Sequence, residues 1–146
     1  MYQIDIPIIP RTLQTQRSRI GSYGQHYMDT KAQEYQDSIK HYCFHWAKMN
    51  NYSYKDKDKY SLDIFLIKPK PKNWFPGKFP TQGDVDNYTK TILDGIKGIL
   101  FPDDNLIFKL TVSKTYGDYP CIRLRLKNYP IPEKKVKKKN GKNKKS

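Results

Sequence analysis

The sequence predicts an α+β domain in the order β-α-β-α-β-β, a mixed sheet with two main helices packed on it. Three observations predict it. Short stretches rich in Ile, Leu, Val and Tyr alternate apolar with polar residues, the period of a half-buried strand. Two longer stretches repeat apolar residues every three or four positions, the period of an amphipathic helix. The chain has 146 residues, enough for one domain with a substantial core.

Residues 2–8, YQIDIPI, alternate as a short strand, and Pro7 and Pro10 put it at a sheet edge or end it there. Residues 11–27 are polar and read as a basic loop carrying Arg11, Arg17 and Arg19. From about Thr30 to Met49 the residues Ala32, Tyr35, Ile39, Tyr42, Cys43, Trp46 and Met49 mark one helical face, closed by Asn50 and Asn51. A strand follows at 60–67, YSLDIFLI. The next segment, KPKPKNWFPGKFPTQG, is too rich in Pro and Gly to be regular. A helix is expected over roughly 86–100, then strands at 106–115 and 120–127 joined at YGDY. There is no internal repeat.

The chain is strongly basic, with 28 Lys and Arg against 14 Asp and Glu and a formal charge of +14. Positions 134–146, KKVKKKNGKNKKS, hold eight Lys and no acid, so the charge without them is +6. Residues 1–130 therefore read as the folded domain and 131–146 as a disordered Lys-rich tail suited to a polyanion. No secretory h-region and no apolar run near 18 residues is present, so a cytoplasmic protein away from the membrane is expected. Cys43 and Cys121 lack metal-like spacing and read as free thiols.

Against this basic background, five of the 14 acids fall within the 21 residues from Asp84 to Asp104: Asp84, Asp86, Asp94, Asp103 and Asp104. Other signals are weaker. His41 and His45 are one helical turn apart but lie off the apolar stripe without a third ligand, so they read as solvated. No nucleophile elbow or phosphate-cradling glycine loop occurs. With about 100° per residue, Asp86, Lys90 and Asp94 form a column on one side of the second helix, opposite Tyr88, Ile92, Ile96 and Ile99. Capping and surface pairing account for Asp84 and Asp86, but not for Asp103-Asp104 after Phe101-Pro102.

A divalent metal accounts for all of them. Carboxylates brought together repel and favour protonation unless a hard cation neutralises them. Oxygen ligands without Cys or His suit Mg²⁺, or alternatively Mn²⁺. Such an ion polarises a scissile phosphate and stabilises the leaving oxygen, while a nearby Lys offsets developing charge. An acidic island on a basic protein fits a metal-dependent nuclease.

Asp84-Val85-Asp86-Asn87, Lys90 and Asp94, followed by an apolar stretch and Asp103-Asp104 before Asn105-Leu106-Ile107, resemble the signature of the RusA family of Holliday-junction resolvases. The resemblance covers at least residues 60–127 and rests on several identities at fixed spacing. It implies a RusA-like, intertwined or closely packed homodimer that cuts DNA four-way junctions symmetrically with divalent metal, in recombination and repair. It implies Asp84, Asp86 and Asp104 as catalytic, metal-holding acids and Lys90 as a catalytic base-type residue, with Asn87, Asp94 and Asp103 supporting. It also implies a bacterial host, with phage or prophage origin. The lysine tail has no counterpart in the family pattern.

Geometry adds an expectation of its own. A helix from 86 to about 99 is ~20 Å long, and the five residues to Asp104 reach at most ~17 Å. Asp104 would need nearly all of that connection to return to Asp84 and Asp86. Antiparallel helices in a two-fold dimer would instead bring one chain's Asp104 to the other's Asp84 and Asp86. Upstream, Lys68, Lys70, Lys72 and Lys78 interleave with Trp74, Phe75 and Phe79, a pattern that stacks on unpaired bases while tracking phosphates or packs under a Pro-rich loop. Together with Arg11, Arg17 and Arg19 these are the candidate DNA contacts. The competing readings are a non-catalytic basic nucleic-acid-binding protein and, among enzymes, a broader branched-DNA nuclease.

Overall fold

The computed structural model describes residues 1–12 and 30–134. Arg17, Arg19 and nearly all of the Lys-rich tail lie outside the described residues. The elements follow the expected order: β1 (Tyr2–Ile6), α1 (Thr30–Met49), β2 (Asp58–Pro69), α2 (Val85–Ile96), β3 (Ile107–Gly117) and β4 (Cys121–Pro130), with a 3₁₀ turn at Asp104–Leu106 before β3. β2 and β4 extend beyond the expected 60–67 and 120–127, because ladder pairs continue from Ile67↔Cys121 to Asp58↔Pro130. β1 is shorter than expected and stops before Pro7.

The sheet is mixed, in the order β1-β4-β2-β3, with β3 parallel to β2 and the other pairs antiparallel. α2 is thus the crossover that parallel neighbours require. The short link from β3 to β4 passes the end of β2, where Lys70 and Asp118 form an ion pair at 2.9 Å.

One face of the sheet is apolar. Ile4, Ile6, Leu62, Ile64, Leu66, Ile122, Leu124 and Leu126 alternate inward and meet Tyr35, Ile39 and Cys43 of α1 and Tyr88, Ile92 and Ile96 of α2. Each such fully buried aliphatic side chain contributes roughly 1.5–3 kcal/mol. Both cysteines are buried and unpaired, and His41 and His45 are exposed. Among the described residues no helix is long and apolar enough to cross a membrane.

α2 ends at Ile96 instead of near residue 100. The apolar period does continue through Ile99, Leu100 and Phe101, but there it anchors a reversal. Gly98 adopts φ +83°, its N–H donates to the Phe101 carbonyl at 2.8 Å, and Leu100 and Phe101 are buried. A β-carbon at that φ would be strained, so the helix stops and the chain turns back.

Candidate active site

That reversal sets the site. It lays Asp103 and Asp104 beside the last turns of α2, and Asp104 faces the same open groove, about 470 Å³, as Asp86, Lys90 and Asp94. The groove's apolar floor comes from Val85 and Leu93 of α2 and Leu110 and Val112 of β3. Leu110 and Val112 pair with Leu62 and Ile64, which fixes them on the helix side of the sheet. The helix is shorter than expected, the turn after it is tight, and Asp104 shares a groove with Asp86.

The acids differ in what occupies them. Asp103 caps the 3₁₀ turn, its Oδ1 accepting the Asp104 N–H at 2.8 Å. Asp86 Oδ1 accepts the Asn87 N–H at 3.0 Å. Asp84 stands at the N-cap of α2, yet its side chain makes no cap hydrogen bond. It is exposed and lies outside the groove lining, so capping does not use its carboxylate.

Asp104 is half-buried, and its Oδ1 is closed off from solvent without a hydrogen-bond partner. Burial raises its pKa above the ordinary carboxylate value; the Lys97 ammonium opposes this, and the charges of Asp103 and Asp94 add to it. An orphaned carboxylate oxygen beside further carboxylates is a state that a hard cation relieves, and the all-oxygen donor set fits one. Among the described residues, however, no three His, Cys, Asp or Glu side chains gather closely enough to hold a metal.

The family model for Endodeoxyribonuclease RusA matches residues 7–127. The chain belongs to the RusA family. A relative, the uncharacterized protein YqaN of Bacillus subtilis (strain 168), is 28% identical over 79 residues, which are 46% of this chain and 56% of YqaN. The chain thus spans little more than half the length of that relative. The family that the match names is one of endodeoxyribonucleases.

In this RusA protein the basic loop is partly tied down. Lys68 Nζ donates to the Tyr88 hydroxyl at 3.1 Å, and that hydroxyl donates to the Gln82 carbonyl at 3.1 Å. Lys68 therefore points inward, unlike the free DNA-facing cation expected. Lys70 lies 4.1 Å over the half-buried Trp74 ring and also pairs with Asp118. Lys78 sits 5.7 Å over Phe75. Phe75 and Phe79 are 58% and 59% exposed, and Lys72 is exposed, so these form the loop's accessible tip. Arg11 is exposed and stacks 5.1 Å over Tyr35.

Several RusA site residues were not legible in the sequence. Lys97 balances Asp104, and its only signal was its place three residues after Asp94. Lys114 donates to the Gly83 carbonyl at 2.8 Å, joining β3 to the corner that presents Asp84. Spacing gives no sign of this contact across 31 residues.

Gly83 is the corner itself, at φ +82°, where an added β-carbon would lie 2.5 Å from Thr12 Cγ2 and 2.8 Å from Tyr88 Cε2. Gly83→Ala is expected to cost about 1–3 kcal/mol and to lower cleavage by displacing Asp84. Thermal melting reads the first effect. An unchanged midpoint would show that the corner relaxes freely.

Proposed function

We propose that this chain is a divalent-metal-dependent endodeoxyribonuclease that resolves four-way DNA junctions as a homodimer, by paired symmetric cuts in recombination and repair. The observation that carries this reading is the open groove lined by Asp86, Lys90 and Asp94 of α2 together with Asp104.

Asp84, Asp86 and Asp104 would hold Mg²⁺, or Mn²⁺ in its place; when bound, the ion polarises the scissile phosphate and offsets charge on the leaving oxygen. Asp86 and Asp104 would orient the attacking water and receive its proton. Lys90, one turn along from Asp86, places a positive charge toward the phosphoryl oxygens as their charge grows. Asp94 and Lys97 set the local charge around Asp104.

A single chain's Asp84 stands at the N-cap of α2 while Asp104 lies beside Asp94 and Lys97 near its other end, and a 12-residue helix is about 18 Å long. Mg²⁺–oxygen bonds of ~2.1 Å leave no room for that separation. This supports a site shared across a two-fold axis, with Asp84 and Asp86 from one subunit and Asp104 from the other.

The direct test is incubation of a synthetic four-way junction with the full-length protein and Mg²⁺. Paired nicks at symmetric positions, in preference to flaps and Y-forms, support resolution. Cutting of all branched forms alike supports the broader nuclease, and no cutting by wild type supports a binding protein.

The tip of the 70–80 loop would probe the junction's unpaired centre. Phe79→Ala and Phe75→Ala are then expected to reduce junction cleavage about tenfold, in line with ~1–3 kcal/mol per stacked base, with smaller losses in duplex binding. Equal losses in both assays would reduce the loop to packing and general electrostatics.

A further inference from the structure

The helices cover one face of the sheet, and the register fixes what the other carries. Ile122, Leu124 and Leu126 are buried beneath the helices, so Arg123, Arg125, Lys127 and Tyr129 project from the opposite face. Their partners in β2 are Phe65, Asp63, Ser61 and Lys59. β1 contributes Asp5 and Gln3 opposite Arg123 and Arg125. β3 adds Lys109, paired with Ser61, and Phe108 at the register shift beside it, which meets the Tyr129 ring edge-on at 5.2 Å.

Charge on this face is one-sided. Lys59, Lys109, Arg123, Arg125 and Lys127 stand against Asp5 and Asp63. Both acids are engaged, Asp5 by Arg123 at 2.8 Å and Asp63 by the Thr111 hydroxyl. Among the described residues the other four cations have no ion-pair partner. α1, by contrast, nearly balances Lys31, Lys40 and Lys48 with Glu34 and Asp37.

Aromatic rings hold three of these cations in place. Lys59 Nζ lies 4.6 Å over Phe108, the Arg125 guanidinium 5.0 Å over Phe65, and Lys127 Nζ 5.0 Å over Tyr129. A cation resting on a ring keeps N–H groups for an outside acceptor and loses less side-chain freedom on meeting one. The Ser61 hydroxyl, with the charges of Lys127 and Lys109, also lowers the Tyr129 phenol pKa, as a positive surface would.

We propose that this helix-free face is a second DNA-contacting surface, separate from the acidic groove, where Lys59, Arg125 and Lys127 take the phosphate backbone of a duplex arm. Only the choice of DNA as the polyanion rests on the nuclease reading above. A second copy of the chain is a poor occupant, because two such faces would oppose like charges.

The test compares the full-length chain with the triple variant Lys59→Gln/Arg125→Gln/Lys127→Gln and with Lys127→Gln alone. Fluorescence anisotropy on an unbranched DNA duplex is read in metal-free buffer across a salt series. Melting checks the fold, and sedimentation checks the association state. Each phosphate contact contributes about 0.9 to the slope of log affinity against log salt, so the triple variant should lose about 2–3 of slope and the single variant about 1. Affinity near physiological salt should fall about tenfold or more in the triple variant. Unchanged slopes overturn the proposal, and so does weaker binding that tracks dissociation into monomers. Binding is read without cleavage. A wild type that cuts nothing would sink the nuclease reading and leave this comparison intact.

Discussion

Asp86→Asn and Asp104→Asn are each expected to lower single-turnover, Mg²⁺-dependent junction cleavage about a thousandfold while the protein stays folded. Metal-held charge stabilisation is worth several kcal/mol in such reactions, and about 4 kcal/mol corresponds to three decades of rate. Asn keeps the shape of Asp and removes the charge, so the loss reads the carboxylate itself. The two variants should differ in stability. Burial raises the Asp104 pKa in the folded state, so its contribution is fully present below the unfolded carboxylate pKa and is lost as pH rises through the folded value. At neutral pH the ionised group therefore costs stability. Asp104→Asn removes that cost, and its melting midpoint should match or exceed wild type. Lower pH protonates Asp104 early, so half-maximal activity should need more Mg²⁺ as pH falls into the carboxylate range. Cleavage retained by either variant would remove that acid from the mechanism, and a markedly lower midpoint for Asp104→Asn would give it a structural role instead.

The physics that makes helices and strands was legible in the sequence to different depths. α1 keeps its expected bounds, Thr30 to Met49, and buries Ala32, Tyr35, Ile39 and Cys43 of the expected stripe, while Tyr42 and Met49 at its margin are exposed. α2 does not, because Ile99, Leu100 and Phe101 continue the apolar rhythm while Gly98 breaks the helix. Periodicity reports which side chains are buried, and here a buried turn copies the signal of a buried helix. The column of Asp86, Lys90 and Asp94 was readable because helical spacing alone sets it. Asp104's place in the same groove was not, since it depends on the Gly98 reversal and on β3 running parallel to β2. Lysines were the least legible. In sequence Lys68, Lys70 and Lys72 look alike, yet a tyrosine hydroxyl holds the first, Trp74 and Asp118 hold the second, and the third is exposed with no partner among the described residues. A long flexible cation takes its role from whichever acceptor lies within reach, and local pattern does not encode that.

Mixing Asp84→Asn with Asp104→Asn subunits should restore cleavage that neither variant shows alone. In a shared site, the heterodimer combines both substitutions in one of its two sites and leaves the other with Asp84 and Asp104 intact. Random exchange of equal amounts makes about half the dimers heterodimers, so about a quarter of all sites recover. Against single variants reduced about a thousandfold, that gain is a few hundredfold. The product should also change. One working site per dimer cuts one strand, so nicked junctions should accumulate in place of resolved duplexes. If each site draws all its acids from one chain, every subunit in the mixture lacks one and no gain appears. The same-chain arrangement would require Asp84 to reach Asp104 from the far end of a 12-residue helix, about 18 Å long. Subunits must exchange for the assay to read, which pre-mixing in mild denaturant and refolding together secures. Asp84→Asn mixed with Asp86→Asn is the internal control. Both acids come from the same end of α2, so the shared-site arrangement predicts that each heterodimer site still lacks one of them and that this pair gains nothing.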